Sequence, residues 1–190
     1  MKKLFIFISL FVSFSAQAQQ AYFKNLVKQL KAHQNDTITA DMEFLSGTEK
    51  ISYRVYKKGA KVRTDFTMNG MTGHTFTDEE KTTFFIPQQK VLMTQKNEGP
   101  SPFVIPDAQT FEGCTVGEKK TINSLEYRQI NCNQTDQPLD MCISETYYIP
   151  VQTNFNGSII QAKNIRADYF SDAVLIPPKT ADEQILTPNF

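Results

Sequence analysis

Apolar residues recur at helical spacing in the segment that precedes the first alternating run. Between Ala21 and Asn35 they fall three and four residues apart with lysines between them, at Tyr22, Phe23, Leu26, Val27 and Leu30. This spacing places them on one face of an amphipathic helix of about four turns. We expect the helix to end near Asn35.

Beyond residue 50, apolar and polar positions alternate instead, which indicates strands. The first run alternates from Ile51 to Val55, turns at Lys58–Gly59 and resumes at Val62. Further polar turns are predicted at Asp78–Lys81, Pro87–Lys90, Asn123–Ser124 and Asn156–Gly157. Short strands at this spacing are typical of a continuous antiparallel meander. The Pro-rich stretch 96–109 is its one long break.

A long sheet curls on itself, and its concave face is the natural place to bury a helix. The pattern therefore predicts a mainly β (α+β) fold. We expect a curved antiparallel sheet forming a half-open barrel, with the N-terminal helix and short helices packed in its concave face. Residues 19–190 are expected to form this single domain.

The first eighteen residues have the pattern of a secretory signal peptide. Lys2 and Lys3 precede an apolar run that ends at Phe14, and Ala16-Gln17-Ala18 supplies the small residues that a signal peptidase reads. The run is too short to span a hydrocarbon core of about 30 Å. No cysteine follows the cleavage position, so no lipidation signal is present. We expect cleavage after Ala18 and a periplasmic or secreted protein.

Charge and cysteine content narrow the function further. The chain has 20 Lys and Arg against 20 Asp and Glu, whereas nucleic-acid binding calls for a basic face. Three cysteines, of which none forms a C-x-x-C motif, leave one thiol over from any pairing. Cys132, on the middle of three predicted strands, is the expected member of a disulfide. We favour Cys132–Cys142, and Cys114–Cys132 is the alternative.

The order of several motifs resembles that of LolA/LolB-like proteins. After the helix come KKGAKVRTDF, TFTDEEKTTFFIPQQKVLMTQ, GEKKTINSLEYRQI, YYIPVQTNFNG and DYFSDAVLIPP. The TMNGMTGH segment is more similar to uncharacterised periplasmic proteins of the DUF4412 type, which share the fold. The resemblance implies a helix-covered half-barrel and a soluble carrier of acyl chains. It also implies an arginine that holds the lid, and Arg63 matches its position.

One face of the predicted meander offers an apolar lining for such a ligand. Its residues are Tyr53, Val55, Phe66, Phe76, Phe84, Ile86 and Leu92, with Val91 and Met93 as alternatives to Leu92. Burial of an acyl chain against them is favourable by about 0.8 kcal/mol per CH₂. The alternative is that these side chains pack against the helix as an ordinary filled core.

The stretch DFTMNGMTGHTF places Met68, Met71 and His74 at three-residue steps. Thioether and imidazole ligands suit Cu(I), but methionine is also a flexible filler of adaptable apolar surfaces. Asn69-Gly70 is a turn-forming pair. We favour an apolar hairpin tip over a copper site.

Catalytic motifs are missing from the sequence. The two histidines, His33 and His74, lie outside any nucleophile motif, and no Gly-rich phosphate loop is present. The sequence predicts a non-catalytic periplasmic protein without a cofactor. It is expected to bind an acyl chain, a lipid or a lipidated partner, and to meet periplasmic or membrane proteins. The alternative is a copper- or stress-related binding module that uses Met68, Met71 and His74.

Overall fold

The structure, a computed structural model, describes residues 2–97, 111–122, 124–132, 139–155, 157–179 and 183–185. It begins with one long helix, α1 (Lys2–Ala32). The strands that follow are β1 (Thr37–Ser46), β2 (Glu49–Lys58), β3 (Lys61–Met68), β4 (Met71–Thr77), β5 (Lys81–Ile86), β6 (Val91–Lys96), β7 (Cys114–Ile122), β8 (Leu125–Cys132), β9 (Leu139–Ser144), β10 (Pro150–Phe155), β11 (Ser158–Arg166) and β12 (Glu183–Ile185). A short 3₁₀ helix, Asp172–Leu175, precedes β12.

The described strands form one sheet in the order β12-β6-β5-β4-β3-β2-β1-β11-β10-β9-β8-β7. The strands β1 to β11 pair antiparallel, and the two edges, β12 and β7, do not meet. The predicted curved, half-open antiparallel barrel is therefore confirmed. It is built from two meanders, β1–β6 and β7–β11, that join where β11 pairs with β1. The expectation of one continuous meander was wrong, because β6 and β7, the strands before and after the Pro-rich stretch, lie at opposite ends of the antiparallel part of the sheet.

The predicted amphipathic helix is confirmed as the last part of α1. Its apolar residues Phe23, Leu26, Val27 and Leu30 are all buried. They pack against the last strands of the sheet, on a cluster formed by Phe111, Cys114, Ile130 and Ile143. The helix ends at Ala32, three residues before the predicted end.

The register of the strands defines two faces. Directly paired residues of an antiparallel sheet project to the same side, and successive residues project to opposite sides. Met141, which packs against the α1 cluster, pairs with Thr153, which in turn pairs with Ile160. We call this side the helix face. Continuing through the register, it also carries Phe44, Met42, Ala40, Tyr53, Val55, Thr64 and Phe66.

Single-residue register shifts bend the half of the sheet that α1 covers. They occur at Lys163 in β11, at Val151 in β10 and between Val116 and Lys119 in β7. Such bulges kink a strand and increase its local twist. All three lie in the second meander, β7–β11, whose strands they therefore bend.

Tight turns join the strands of the first meander where the sequence predicted them. Asn69 and Gly70 between β3 and β4 both have positive φ, 52° and 76°. Positive φ at both central residues is the two-residue turn whose twist matches paired strands. The predicted turns at Asn123–Ser124 and Asn156–Gly157 fall partly outside the described residues.

The disulfide joins Cys114 to Cys132. These cysteines are direct register partners on β7 and β8. The favoured pair, Cys132–Cys142, was wrong because Cys142 is opposite Gln129 while Cys132 is opposite Leu139. Successive positions on a strand project to opposite faces, and Cys142 lies three positions after Leu139. Cys142 therefore points to the face opposite the bridge. It remains a half-buried thiol whose pKa is raised by burial.

The C-terminal segment crosses the face opposite α1. Its 3₁₀ helix contacts β2 and β3, and the segment then reaches the far edge, where β12 pairs parallel to β6. The parallel strand covers an edge that would otherwise expose unpaired backbone groups. The described 3₁₀ helix thus does not share the face that α1 covers, where short helices were expected.

The disulfide predicts a clear hierarchy among the cysteines. Cys132→Ala should lower the free energy of unfolding in urea by about 2–4 kcal/mol, because the bridge restricts the unfolded chain. Cys142→Ala is the matched control and should cost much less. Equal losses in the two variants, or a non-reduced peptide linking Cys142 to either partner, would contradict the assignment.

Candidate functional site: an apolar hollow on the helix face

A cavity of about 290 Å³ opens on the helix face, beside the region that α1 covers. Five strands and the β9–β10 turn supply its walls. The lining residues are Ile38, Ala40, Met42, Tyr53, Val55, Lys57, Thr64, Ile149, Pro150, Gln152, Thr153 and Ile160. Most of these side chains are apolar, so water inside the hollow gains few hydrogen bonds.

Two of the predicted lining residues, Tyr53 and Val55, lie in the wall of the hollow. Both lie on β2, where period-two alternation directs them to the helix face. Val55 is buried, and burial raises the pKa of the Tyr53 hydroxyl. An apolar surrounding explains that shift, because it disfavours the phenolate.

Three further predicted residues lie on the helix face but outside the hollow. Phe66 pairs with Tyr53, and its ring covers Gly73 on the next strand, where a Cβ would overlap it. Phe84 and Ile86 lie on β5, two strands beyond β3. Distance along the sheet, not orientation, separates them from the cavity.

For Phe76 and Leu92, the prediction that they face the hollow was wrong. Phe76 pairs with Arg63, and Leu92 pairs with Phe85, all on the side opposite the hollow. The tight hairpins explain the error. Each of them pairs an even-numbered residue with an odd-numbered one, so the helix face carries even residues in β3 and β5 but odd residues in β4 and β6. The alternatives Val91 and Met93 do lie on the helix face.

The other walls of the hollow were not predicted from the sequence. On β1, the residues Ile38, Ala40 and Met42 alternate with polar ones, and this period was a readable signal. The wall of Ile149, Pro150, Thr153 and Ile160 comes close only because β11 pairs with β1. No local pattern reveals that pairing.

Lys57 introduces a charge into this apolar lining. It pairs with Ile38 and Val62, both buried on the helix face, and is itself only 7% exposed. Its Nζ donates to the carbonyl oxygen of Gln34, just beyond α1, at 2.9 Å. Burial lowers the pKa of the Lys57 ammonium, an effect that the nearby Asp36 carboxylate opposes.

The opposite face of the same strands is polar. Arg54 pairs with Asp41 at 2.7 Å, and Glu43 pairs with Lys50 at 2.7 Å and with Lys163 at 3.1 Å. The bonds from Lys50 and Lys163 lower the pKa of Glu43 to about 2, and the Lys50 bond is the largest cause. The central strands therefore separate an apolar cavity from a hydrated ladder of ion pairs.

Arg63, the lid-clamp candidate, lies on the opposite face as the partner of Tyr56. Its guanidinium donates to both carboxylate oxygens of Asp65, at 2.6 and 3.1 Å, and to the carbonyl oxygen of Val174 at 3.2 Å. It also lies over the rings of Tyr56 and Phe76. Arg63 thus holds the C-terminal 3₁₀ helix and does not reach the hollow.

The Met/His set does not come together. Met68 and Met71 pair across the β3–β4 turn and are about half exposed. His74 projects to the other face, where its Nδ1 lies 2.6 Å from Asp65 Oδ1 and its ring stacks on Phe85. Within the described residues, no group of three or more His, Cys, Asp or Glu side chains is placed to hold a metal. The methionines form a hairpin tip.

Known structures share the fold, although no family model and no curated protein matches the sequence. An uncharacterised conserved protein from Thermus thermophilus superposes with a TM-score of 0.64 at 11% identity, covering 86% of this chain and 98% of that one. The MucA/MucB complex of Pseudomonas aeruginosa superposes with a TM-score of 0.57 at 7% identity, covering 84% of this chain and 61% of that one. A structure of MucB superposes with a TM-score of 0.54 at 7% identity, covering 86% of this chain and 64% of that one.

At such low identities these likenesses show the fold alone. They show that this chain shares its curved, half-open sheet with these structures. They do not support the closer comparison with DUF4412-type proteins. Where the structure describes the chain, no helix is long and apolar enough to cross a membrane.

The Arg63 contacts predict a local effect on the C-terminal segment. Arg63→Met should speed amide hydrogen exchange at Val174 and Ile176 by about tenfold or more, because a charge-assisted hydrogen bond to the segment is lost. Arg54→Met, which removes an exposed ion pair on the neighbouring strand, is the matched control. Unchanged exchange at both amides in Arg63→Met would show that other contacts hold the segment.

Proposed function

We propose that the hollow on the helix face binds the acyl chain of a lipid or of a lipidated partner, and that the protein acts as a carrier. The observation that carries this proposal is the apolar lining of a cavity to which five strands contribute. Ligand pockets are commonly of about 300–1,000 Å³ and mostly apolar. The 290 Å³ cavity lies at the lower end of that range.

The energetics suit such a ligand. Each CH₂ transferred from water into the hollow contributes about 0.8 kcal/mol, and this contribution needs no directional contacts. A carrier must also release its ligand, and a cavity at the surface of an open sheet gives a route out. The LolA/LolB resemblance implies the same activity.

We further propose that the chain is exported, loses residues 1–18 and works in the periplasm. A protein partner is part of the proposal, because a structure of this fold is a complex of MucB with MucA. A lipidated or membrane-derived protein would present both a surface and an acyl chain. Nucleic acid is not proposed, since the chain carries as many acidic as basic residues.

The proposed role is non-catalytic. Neither histidine faces the hollow: His33 bonds to Asp36 and stacks on Tyr148, and His74 lies on the opposite face. Among the described residues that line the hollow, Lys57 is the one with a charged side chain. An apolar cavity without an acid–base pair favours binding over chemistry.

Filling the hollow tests the proposal. Ala40 lines the cavity and Ala162 does not, although both are buried in the same core cluster. Ala40→Leu should fill an open hollow with little change in stability, and should weaken calorimetric binding of 1-decanol by about tenfold or more. Ala162→Leu should instead lose about 1–3 kcal/mol by overpacking.

Two results would contradict the proposal. If Ala40→Leu is destabilised as much as Ala162→Leu, the region is a filled core. If Ala40→Leu binds 1-decanol as tightly as the parent does, the alkyl chain lies elsewhere.

A further inference from the structure

Lys57 is a buried cation whose neighbours do not neutralise it. Among the described residues, no carboxylate lies within ion-pair distance of its Nζ, and its hydrogen-bond partner is the neutral carbonyl of Gln34. Asp36, which acts on it from farther away, is bonded to His33 at 2.7 Å. The neighbouring Lys58, in contrast, is exposed on the opposite face and bonds to Asp172 at 2.6 Å.

Such an arrangement is costly for the protein on its own. Burying an ammonium without an opposite charge is unfavourable, and unpaired buried charges are rare for that reason. An ammonium has three N–H donors, of which one is used on Gln34. Two donors therefore remain for a ligand that enters the hollow.

Resting on the acyl-binding function proposed above, we propose that the hollow selects a single-chain amphiphile with a carboxylate head group, which pairs with the Lys57 ammonium. The two oxygens of a carboxylate match the two remaining donors, and such charge-assisted bonds are stronger than neutral ones. A single cation suits a head group with a single negative charge.

The shape of the lining fits one alkyl chain leading away from this head group. Lys57, Val55 and Tyr53 follow one another at every second position of β2, so they extend over about 13 Å. Beside them in the sheet, Met42 on β1, the register partner of Tyr53, and Ile160 on β11 continue the apolar wall. A volume of 290 Å³ favours a single chain over a bulky lipid with several.

Three ligands with the same C10 chain isolate the head group: decanoate, 1-decanol and decyltrimethylammonium, titrated calorimetrically at pH 8. The parent protein should bind decanoate at least about tenfold more tightly than 1-decanol. Decyltrimethylammonium should bind more weakly than either, because its charge repels Lys57.

Variants then locate the preference. Lys57→Met keeps the aliphatic stem but removes the charge. The affinity for decanoate should therefore fall to that for 1-decanol, and the affinity for 1-decanol should not change. Lys57→Arg should restore the preference for decanoate. Lys58→Met, the adjacent control on the other face, should behave as the parent does. If Lys57→Met does not fold, the selectivity of the parent among the three ligands decides the matter.

The outcomes separate the two proposals. Equal binding of decanoate and 1-decanol by the parent, or a decanoate preference that survives in Lys57→Met, would overturn the role of Lys57 and leave the acyl site intact. If none of the three ligands binds, the acyl-binding function itself is overturned.

Discussion

The pairing of β1 with β11 is the constraint on which the rest of the structure depends. It joins a meander that runs outward from β1 to one that returns from the other edge. Without it, β1 and β2 would supply one wall of the hollow, and the β9–β10 hairpin that supplies the other wall would lie elsewhere. The bulge at Lys163 falls within this pairing, and its added twist helps the two halves to curve toward each other. The hollow is thus a consequence of one long-range contact.

The two faces of the sheet serve different purposes. On the helix face, α1 covers the β7–β9 half and leaves the region above β1 and β2 open. On the opposite face, the same strands carry ion pairs and contact the C-terminal segment, to which Arg63 donates a hydrogen bond. A cavity persists in a small domain only if its walls cannot collapse. The disulfide at one edge and β12 at the other fix the ends of the sheet.

Local patterns in the sequence were sufficient for part of this structure. The amphipathic helix, the Asn69-Gly70 turn and the orientation of Tyr53 and Val55 follow from period and turn chemistry, which act over a few residues. Phe76 and Leu92 were placed on the wrong face because each tight hairpin exchanges odd and even positions, and the exact pairing depends on the turn geometry. The Cys114–Cys132 bridge depends on the exact register of the β7–β8 hairpin, which contains a bulge. The jump between the sheet edges and the wall at Ile160 depend on long-range pairing. Lys57 was overlooked because a lysine in an alternating run ordinarily indicates a solvated position.

The central claim is that an alkyl chain lies in the hollow on the helix face. The most direct measurement is an isotope-edited NMR experiment on the protein with ¹³C-labelled decanoate, which detects protons of the ligand close to protein methyl groups. Contacts are expected to the methyls of Ile38, Ala40, Val55 and Ile160, which line the cavity. Contacts confined to the exposed Met68 and Met71, or to any surface other than the hollow, would contradict the claim.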